Sequence, residues 1–466
     1  MKKLLLFSLF PFLIFSQTQI GNDIDGKNAQ ECSGLSVSLS SDGATLAVGS
    51  CNRKKTSGDV AQVRVFKNLS GIWSQIGDDI NGNIDKDELV NTVSLSSNGN
   101  ILAISNFSFG NRLPSFTQVY QNISEVWTQI GNNIEGYAGF CNTQFLSTDG
   151  STIALAIPDK VIIYRNISGI WTPIGNSIEE KYATDLSISS DGTVLALGIR
   201  FPSNLDDGSA RVKVVVYKNI SGVWTQIGTD IGGQFTTQEM SISLSSDGNI
   251  LAIGDTIYGF GLVRIFENST GIWTQIGQNI SNNDSNKCYK FGFRVSLSAD
   301  GTIVAIGARE SDREIINRGC VQVYKNFSGI WTQIGSDIIG EARNDASAVG
   351  LSLSSDGTKL AVGAPGNGGN GETSGHVRVF DLSGILSSDS FVLANFSVYP
   401  NPASSMVTIT LQEGLLLEKV NIYNTLGQNI KTETNKIIDI SSLQKGTYFV
   451  EVITNKGKAT KTIIIK

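Results

Sequence analysis

Histidine is almost missing from this chain: His376 is the only one in 466 residues. Histidine-based triads and multi-histidine metal sites are therefore excluded. Proline is scarce, 8 residues against 50 glycines, so turns must be built mainly from Gly, Asn, Asp and Ser. No run of 18 apolar residues follows the N-terminus, which excludes a transmembrane helix from the mature chain. Clustered positive charge is lacking as well. The formal net charge is -6, and residues 17–395 alone carry about -11, the wrong sign for a phosphate backbone, so nucleic acid is a poor candidate partner. Five cysteines are too few for a disulfide framework. Cys32 and Cys51 flank two predicted strands of one repeat, and Cys288 and Cys320 share a later one. Each pair either closes within its unit or stays as small, half-buried thiols, and Cys141 is left over.

What is present is repetition. The stretch from Trp331 to Phe380 is one of seven copies when the chain is aligned on Gly43, Gly99, Gly150, Gly192, Gly248, Gly301 and Gly357. A period of roughly 50 residues marks a propeller or solenoid. Each copy holds four short segments of strand type, WTQIG, GLSLS, KLAVG and HVRVF in the last, separated by turn residues. The expected fold is all-β: a seven-bladed β-propeller with four-stranded blades over residues 17–385. In it the N-terminal TQIG strand pairs with Val377–Phe380 and closes the last blade, removing two sheet edges. Residues 386–395 read as a linker, and residues 396–466, Lys-rich and without the repeat, as a separate small β domain. At the other end, Lys2 and Lys3, an apolar stretch from Leu4 to Phe15 and the small Ser16 make residues 1–16 an expected signal peptide.

Connection lengths divide the repeat. The step from the aromatic of the HVRVF-type strand to the next Trp is seven residues throughout, from Phe66–Trp73 to Tyr324–Trp331, and the S-D-G turn is equally uniform. The other two connections vary in length. In an up-and-down sheet the uniform turns share one face and the variable loops the other, and varied loops on a rigid scaffold are where binding usually resides. The binding residues expected there include Arg53, Lys54, Lys55, Asp206, Asp207, Arg309, Asn367 and Asn370.

Single motifs add little chemistry. S-D-G reads as a type I′ hairpin turn, since the calcium pattern D-x-D-x-D-G with a later acid is absent. N-x-S-G at Asn68, Asn166, Asn219 and Asn326 reads as a turn rather than a glycan acceptor. The six Trp residues read as packing anchors between blades. A carboxylate pair across the pore could support glycoside hydrolysis, but no spacing marks two partners among Asp206, Asp207, Asp284, Glu310, Asp312, Glu341 and Asp345. No cofactor or metal is expected, and the protein is expected not to be an enzyme.

Two resemblances rest on these residues. The copies, with LAVGAP at Leu360 to Pro365 before G-H-V-R-V-F, resemble FG-GAP repeats of the integrin α-subunit type of propeller. The tail resembles the C-terminal sorting domain of the type IX secretion system of Bacteroidota. Its matching stretches are FSVYPNP (Phe396 to Pro402), KVNIYNTLGQ, IDISSLQKGTYFVEV and a basic last strand, with Pro400, Asn401, Pro402, Gly427, Gly446 and Lys466 as its marks. That resemblance implies a small Ig-like β-sandwich, the type IX machinery as a partner, and a secreted or outer-surface location. The expected function is binding or adhesion, with a protein or glycan held on the variable face. The alternative is a secreted polysaccharide hydrolase or lyase, which requires acids, or a Tyr and an Arg, converging at one end of the pore.

Overall fold

A computed structural model describes residues 17–51, 61–82, 88–108, 115–136, 144–201, 210–237, 239–257, 260–282, 288–310, 317–327, 329–386, 392, 395–412, 415–455 and 457–466. The signal-peptide expectation lies outside them. Two compact units emerge, Thr18–Asp381 and one that includes Leu382–Lys466.

The first unit contains seven antiparallel sheets built on one plan. In the first, Ser36–Leu39 pairs with Thr45–Gly49, which pairs with Gln62–Leu69, which pairs with Ile72–Gln75. The Trp-bearing segment is thus the outer strand of the sheet begun by the preceding copy. One consequence is closure: Thr18–Gln19 and Ile24–Asp25, the start of the unit, pair with His376–Asp381, its end.

Alternation of side chains puts the apolar residues of each strand between sheets. Leu46, Leu102, Ile153, Leu195, Leu251, Val304 and Leu360, one per sheet, are completely buried. Five of the six Trp residues then tie neighbouring sheets through the indole N–H, whereas the buried Trp224 Nε1 has no hydrogen-bond partner. Trp73 donates its indole N–H to the Ile20 carbonyl at 3.0 Å, and Trp127, Trp171, Trp273 and Trp331 do the same to Ile76, Ile130, Ile227 and Ile276. The glycine of each Q-I-G lies under the next indole. At Gly277, which has φ +74°, a Cβ would stand 2.8 Å from the Trp331 ring.

The innermost strands meet around an axis. Backbone N–H groups donate from Ser41 to Ser97, Ser97 to Thr148, Thr148 to Ser190, Ser190 to Ser246, Ser246 to Ala299, Ala299 to Ser355 and Ser355 back to Ser41. These bonds form a closed ring. One cavity of about 170 Å³ touches all seven inner strands. The propeller expectation is met by this geometry, but the S-D-G turn differs from its expected type. Only the glycine, such as Gly43 at φ 67°, has positive φ there, whereas Ser70 (53°) and Gly71 (89°) both do in N-x-S-G. The type I′ turn therefore belongs to N-x-S-G. The reason lies in the Asp: Asp42 Oδ1 accepts from Ser40 Oγ at 2.6 Å and from the Ala44 N–H at 2.9 Å, which favours a type I turn closed by a left-handed glycine.

The second unit has a three-stranded sheet of Phe396–Tyr399, Met406–Leu411 and Ile437–Asp439, and a four-stranded sheet of Asn429–Glu433, Leu417–Tyr423, Gly446–Thr454 and Gly457–Ile465. Asn401 donates to the Thr462 carbonyl and accepts from the Ile464 N–H, both at 2.9 Å. This seats the P-N-P segment on the last strand.

Candidate functional site

Serine explains how the inner strands are tied, and its absence marks the site. The aligned inner strands read SVSLS from Ser36, TVSLS from Thr92, TQFLS from Thr143, DLSIS from Asp185, SISLS from Ser241, RVSLS from Arg294 and GLSLS from Gly350. At the third position Ser38, Ser94, Ser187, Ser243, Ser296 and Ser352 each accept the N–H of the neighbouring inner strand, at 3.0–3.2 Å. The first position lies one step closer to the variable loops and points the same way. Ser36 and Ser241 repeat the bond there, but two sheets place an acid and a base in that seat.

Asp185 accepts the Ile242 N–H at 2.9 Å, so its carboxylate has taken over the serine's structural bond. It is half-buried. Burial pushes its pKa up to about 6, against the pull of Arg294 and its hydrogen bonds. Arg294 donates to the Val349 carbonyl at 3.3 Å. Burial draws its guanidinium below its usual range, while Asp185 and Glu239 oppose that shift. Two guanidiniums lie near the Phe293 ring, Arg294 4.5 Å and Arg309 5.7 Å from its centre. Arg309 Nη1 also stands 3.9 Å from Glu239 Oε1. Glu239 Oε2 is buried and has no hydrogen-bond partner. Asp185, Glu239, Arg294 and Arg309 thus form a charged sector on the loop-face side of the axial cavity, whose own lining carries no charged residue.

Both disulfides brace this face. Cys32 bonds Cys51 and Cys288 bonds Cys320, with Cα atoms 5.4 and 5.6 Å apart. Each joins the two variable connections of one sheet.

Of the binding residues expected from sequence, Arg309 belongs to the charged sector. Asn367 is buried and structural: it donates to Asp345 at 3.1 Å and caps the Gly369 N–H. Asn370 donates to the Gly26 carbonyl at 2.7 Å, tying the last loop to the first. Of the acids, Asp345 is enclosed and accepts the Ala342 N–H, and Glu341 pairs with Arg378 at 3.3 Å. Arg53, Lys54, Lys55, Asp206, Asp207, Asp284, Asp312 and Cys141 lie outside the described residues. Asp185, Glu239 and Arg294 were missed because they sit in strands rather than loops. The aligned first position, S-T-T-D-S-R-G, carried the signal for two of them.

Comparison with known proteins settles one end of the chain. Residues 397–466 match the secretion system C-terminal sorting domain. That stretch is a sorting domain. It addresses its carrier to the type IX machinery, so the protein is exported to the cell surface or the extracellular space. The chain is also 35% identical over 88 residues to Ulvan lyase NLR42 of Nonlabens ulvanivorans. The match spans 18% of this chain and only 16% of that relative. The expectation of a non-enzyme is corrected on this finding, because the curated protein it resembles in sequence is a lyase. Similar folds include the C-terminal WD40 domain of Sif2, at 14% identity and TM-score 0.49 over 78% of this chain and 98% of that one. The Dos1 propeller has 12% identity and TM-score 0.47 over 79% and 96%. A proposed 6-phosphogluconolactonase of Bacteroides uniformis has 16% identity and TM-score 0.48 over 66% and 86%.

Proposed function

We propose that this protein is a seven-bladed, FG-GAP-type propeller that leaves the cell by a signal peptide and the type IX route. Outside, it binds a glycan at the loop-face mouth of its axial channel. One observation carries this reading: Asp185 and Arg294 stand in a seat that other sheets fill with Ser, Thr or Gly, and Glu239 and Arg309 lie beside them. Charges drawn out of water cost stability unless fully paired, and Glu239 keeps an unfilled acceptor. Perturbed, incompletely paired groups in a concavity are what a ligand site needs. Sugar hydroxyls would donate to Glu239, and the guanidiniums would take a sugar carboxylate or hydroxyl oxygen.

A second reading, cleavage of the bound polysaccharide, is favoured by the similarity to an ulvan lyase and by a carboxylate that titrates near pH 6. In that reading Asp185 or Glu239 accepts or delivers a proton and the guanidiniums steady developing negative charge. Affinity electrophoresis of the exported protein on neutral and acidic polysaccharides tests binding, and reducing-end and unsaturated-product assays test turnover. Binding without products supports the first reading, and products abolished in Glu239→Gln support the second. If no polysaccharide is retarded while an extracellular protein is captured through the same face, the glycan assignment fails.

A further inference from the structure

The closing seam of the propeller holds a set of side chains that none of the other sheets reproduces among the described residues. His376, the only histidine, is 1% exposed. Its register partner across the seam is Asp25, and a directly opposite antiparallel pair has side chains in contact range. Its Nδ1 stands 3.3 Å from Asp23 Oδ2. One ligand atom from each of Asp23, Asp25 and His376 lies within 4.8 Å of the others. We infer that Asp23, Asp25 and His376 bind a divalent transition-metal ion, zinc being the best fit, and that the bound ion latches the N-terminal strand onto the last sheet.

Three features favour an ion over a simple ion pair. First, His376 Nε2 is buried with no hydrogen-bond partner. The ring's recorded polar neighbour is therefore on the Nδ1 side, toward the carboxylates, and Nδ1 is the nitrogen offered to an ion. Second, 3.3 Å is longer than the usual ~2.9–3.0 Å of an N–H···O bond. It matches the roughly 3.3 Å between two ligands on a tetrahedral ion with bonds of about 2.0–2.1 Å. Third, the Asp23 carboxylate and the Asp25 backbone are already held. Gln19 Nε2 holds Asp23 Oδ1 at 2.6 Å, leaving Oδ2 to the histidine. Arg64 bonds the backbone carbonyl of Asp25 at 2.8 Å.

The corresponding seats elsewhere show what the unmetallated versions look like. Lys213 pairs with Asp230 at 3.1 Å in one sheet, and Cys320, disulfide-bonded to Cys288, stands beside Asp337 in another. Opposite Gln62 lies Asn81, and opposite Lys213 lies Gly232. Only the closing sheet combines two carboxylates with an imidazole. One histidine with two carboxylates is a donor set suited to zinc, with positions left for water. The exclusion of multi-histidine sites does not touch it. The clasp strands are two residues each, so a cross-link from Asp23 and Asp25 to His376 joins the segments with the fewest ladder bonds.

Full-length exported protein, stripped with EDTA and titrated with Zn²⁺ alone in a calorimeter, tests this. The expected result is one ion per chain, with the unfolding midpoint raised by about 3–6 °C at a hundredfold excess over Kd. His376→Gln and Asp25→Asn bring in the residues that Gln62 and Asn81 provide in the first sheet, and each should lower the affinity at least ~30-fold. Each should still melt near the metal-free wild type. As the single imidazole, His376 gives one set of NMR ring signals, which should shift on titration. Absent stoichiometric binding, or unchanged binding in both variants, overturns the latch and leaves the seam an ordinary ion pair.

Discussion

The two faces of the propeller are held by different chemistry. On the turn face one solution is used again and again. Asp149, Asp191, Asp247, Asp300 and Asp356 each accept a serine hydroxyl and a backbone N–H two residues on. A closed ring of backbone bonds completes that face. On the loop face one arginine position recurs in three sheets, over the Phe two residues on, but finds a different acid in each. Arg64 with Glu31, Arg264 with Asp255 and Arg378 with Glu341 are separate ion pairs, and two sheets carry disulfides. Repetition marks what the fold requires, and departures mark where other demands act.

The contrast can be broken first through the elements common to both faces. Trp331→Ala empties an indole that is 2% exposed in a core cluster and should cost about 3–5 kcal/mol. Chemical denaturation would measure this, and a loss under 1 kcal/mol would show that the tryptophans are not anchors. Disulfide removal comes next and belongs to the loop face alone. The bridges close 19- and 32-residue separations, so Cys51→Ser and Cys320→Ser should each cost about 3–4 kcal/mol. Hydrogen exchange should rise in the loops and stay unchanged at the S-D-G turns. Exchange rising equally on both faces would deny their independence.

Protonation separates the faces with opposite signs. Asp185 titrates near 6 in the fold, above its ordinary 3.8, so the folded chain holds that proton more tightly and stability falls as pH rises between these values. Asp185→Ser, the residue used by the neighbouring sheets, should therefore stabilise by on the order of 2 kcal/mol above pH 6 and have little effect below about pH 4. Denaturation midpoints against pH would show this directly, and a pH-independent difference would deny it. The turn aspartates behave oppositely and weakly. Burial raises Asp300, but hydrogen bonds from Ser298 and Thr302 outweigh it and hold the carboxyl below its ordinary value. Its contribution is present at neutral pH and lost as pH falls through that range. For this exposed side chain, Asp300→Asn should cost only a few tenths of a kcal/mol at pH 7 and nothing near pH 2. A cost that grew on acidification would be the wrong sign.

How much of this was legible depended on periodicity. The strands, their order and the division into uniform and variable faces follow from the spacing of Trp73 through Trp331 and of the seven turn glycines. The turn types did not, because Asp-Gly and Ser-Gly both suit left-handed backbone, and what decides between them is the bonding of Asp42 to Ser40 and Ala44 and of Asn68 Oδ1 to the Gly71 N–H at 3.0 Å. The charged sector was missed for a related reason: Asp185 and Arg294 stand inside segments that alternate like ordinary strands. What brings them together is the packing of inner strands from different sheets, contacts between residues more than 50 positions apart. Asn367 and Asn370 failed in the opposite way. They sit in a variable loop, yet their side chains are spent holding it.

The central claim is that ligand binding belongs to the loop-face mouth and not to the turn face. The dissociation constant for a retained polysaccharide should be measured for a Glu239→Gln/Arg309→Ala double variant and for an Ile72→Ser/Ile272→Ser variant of exposed turn-face residues. Binding should be at least ~tenfold weaker in the first pair, with none of that loss in the second. Wild-type affinity in the first pair, or a comparable loss in the second, would contradict it.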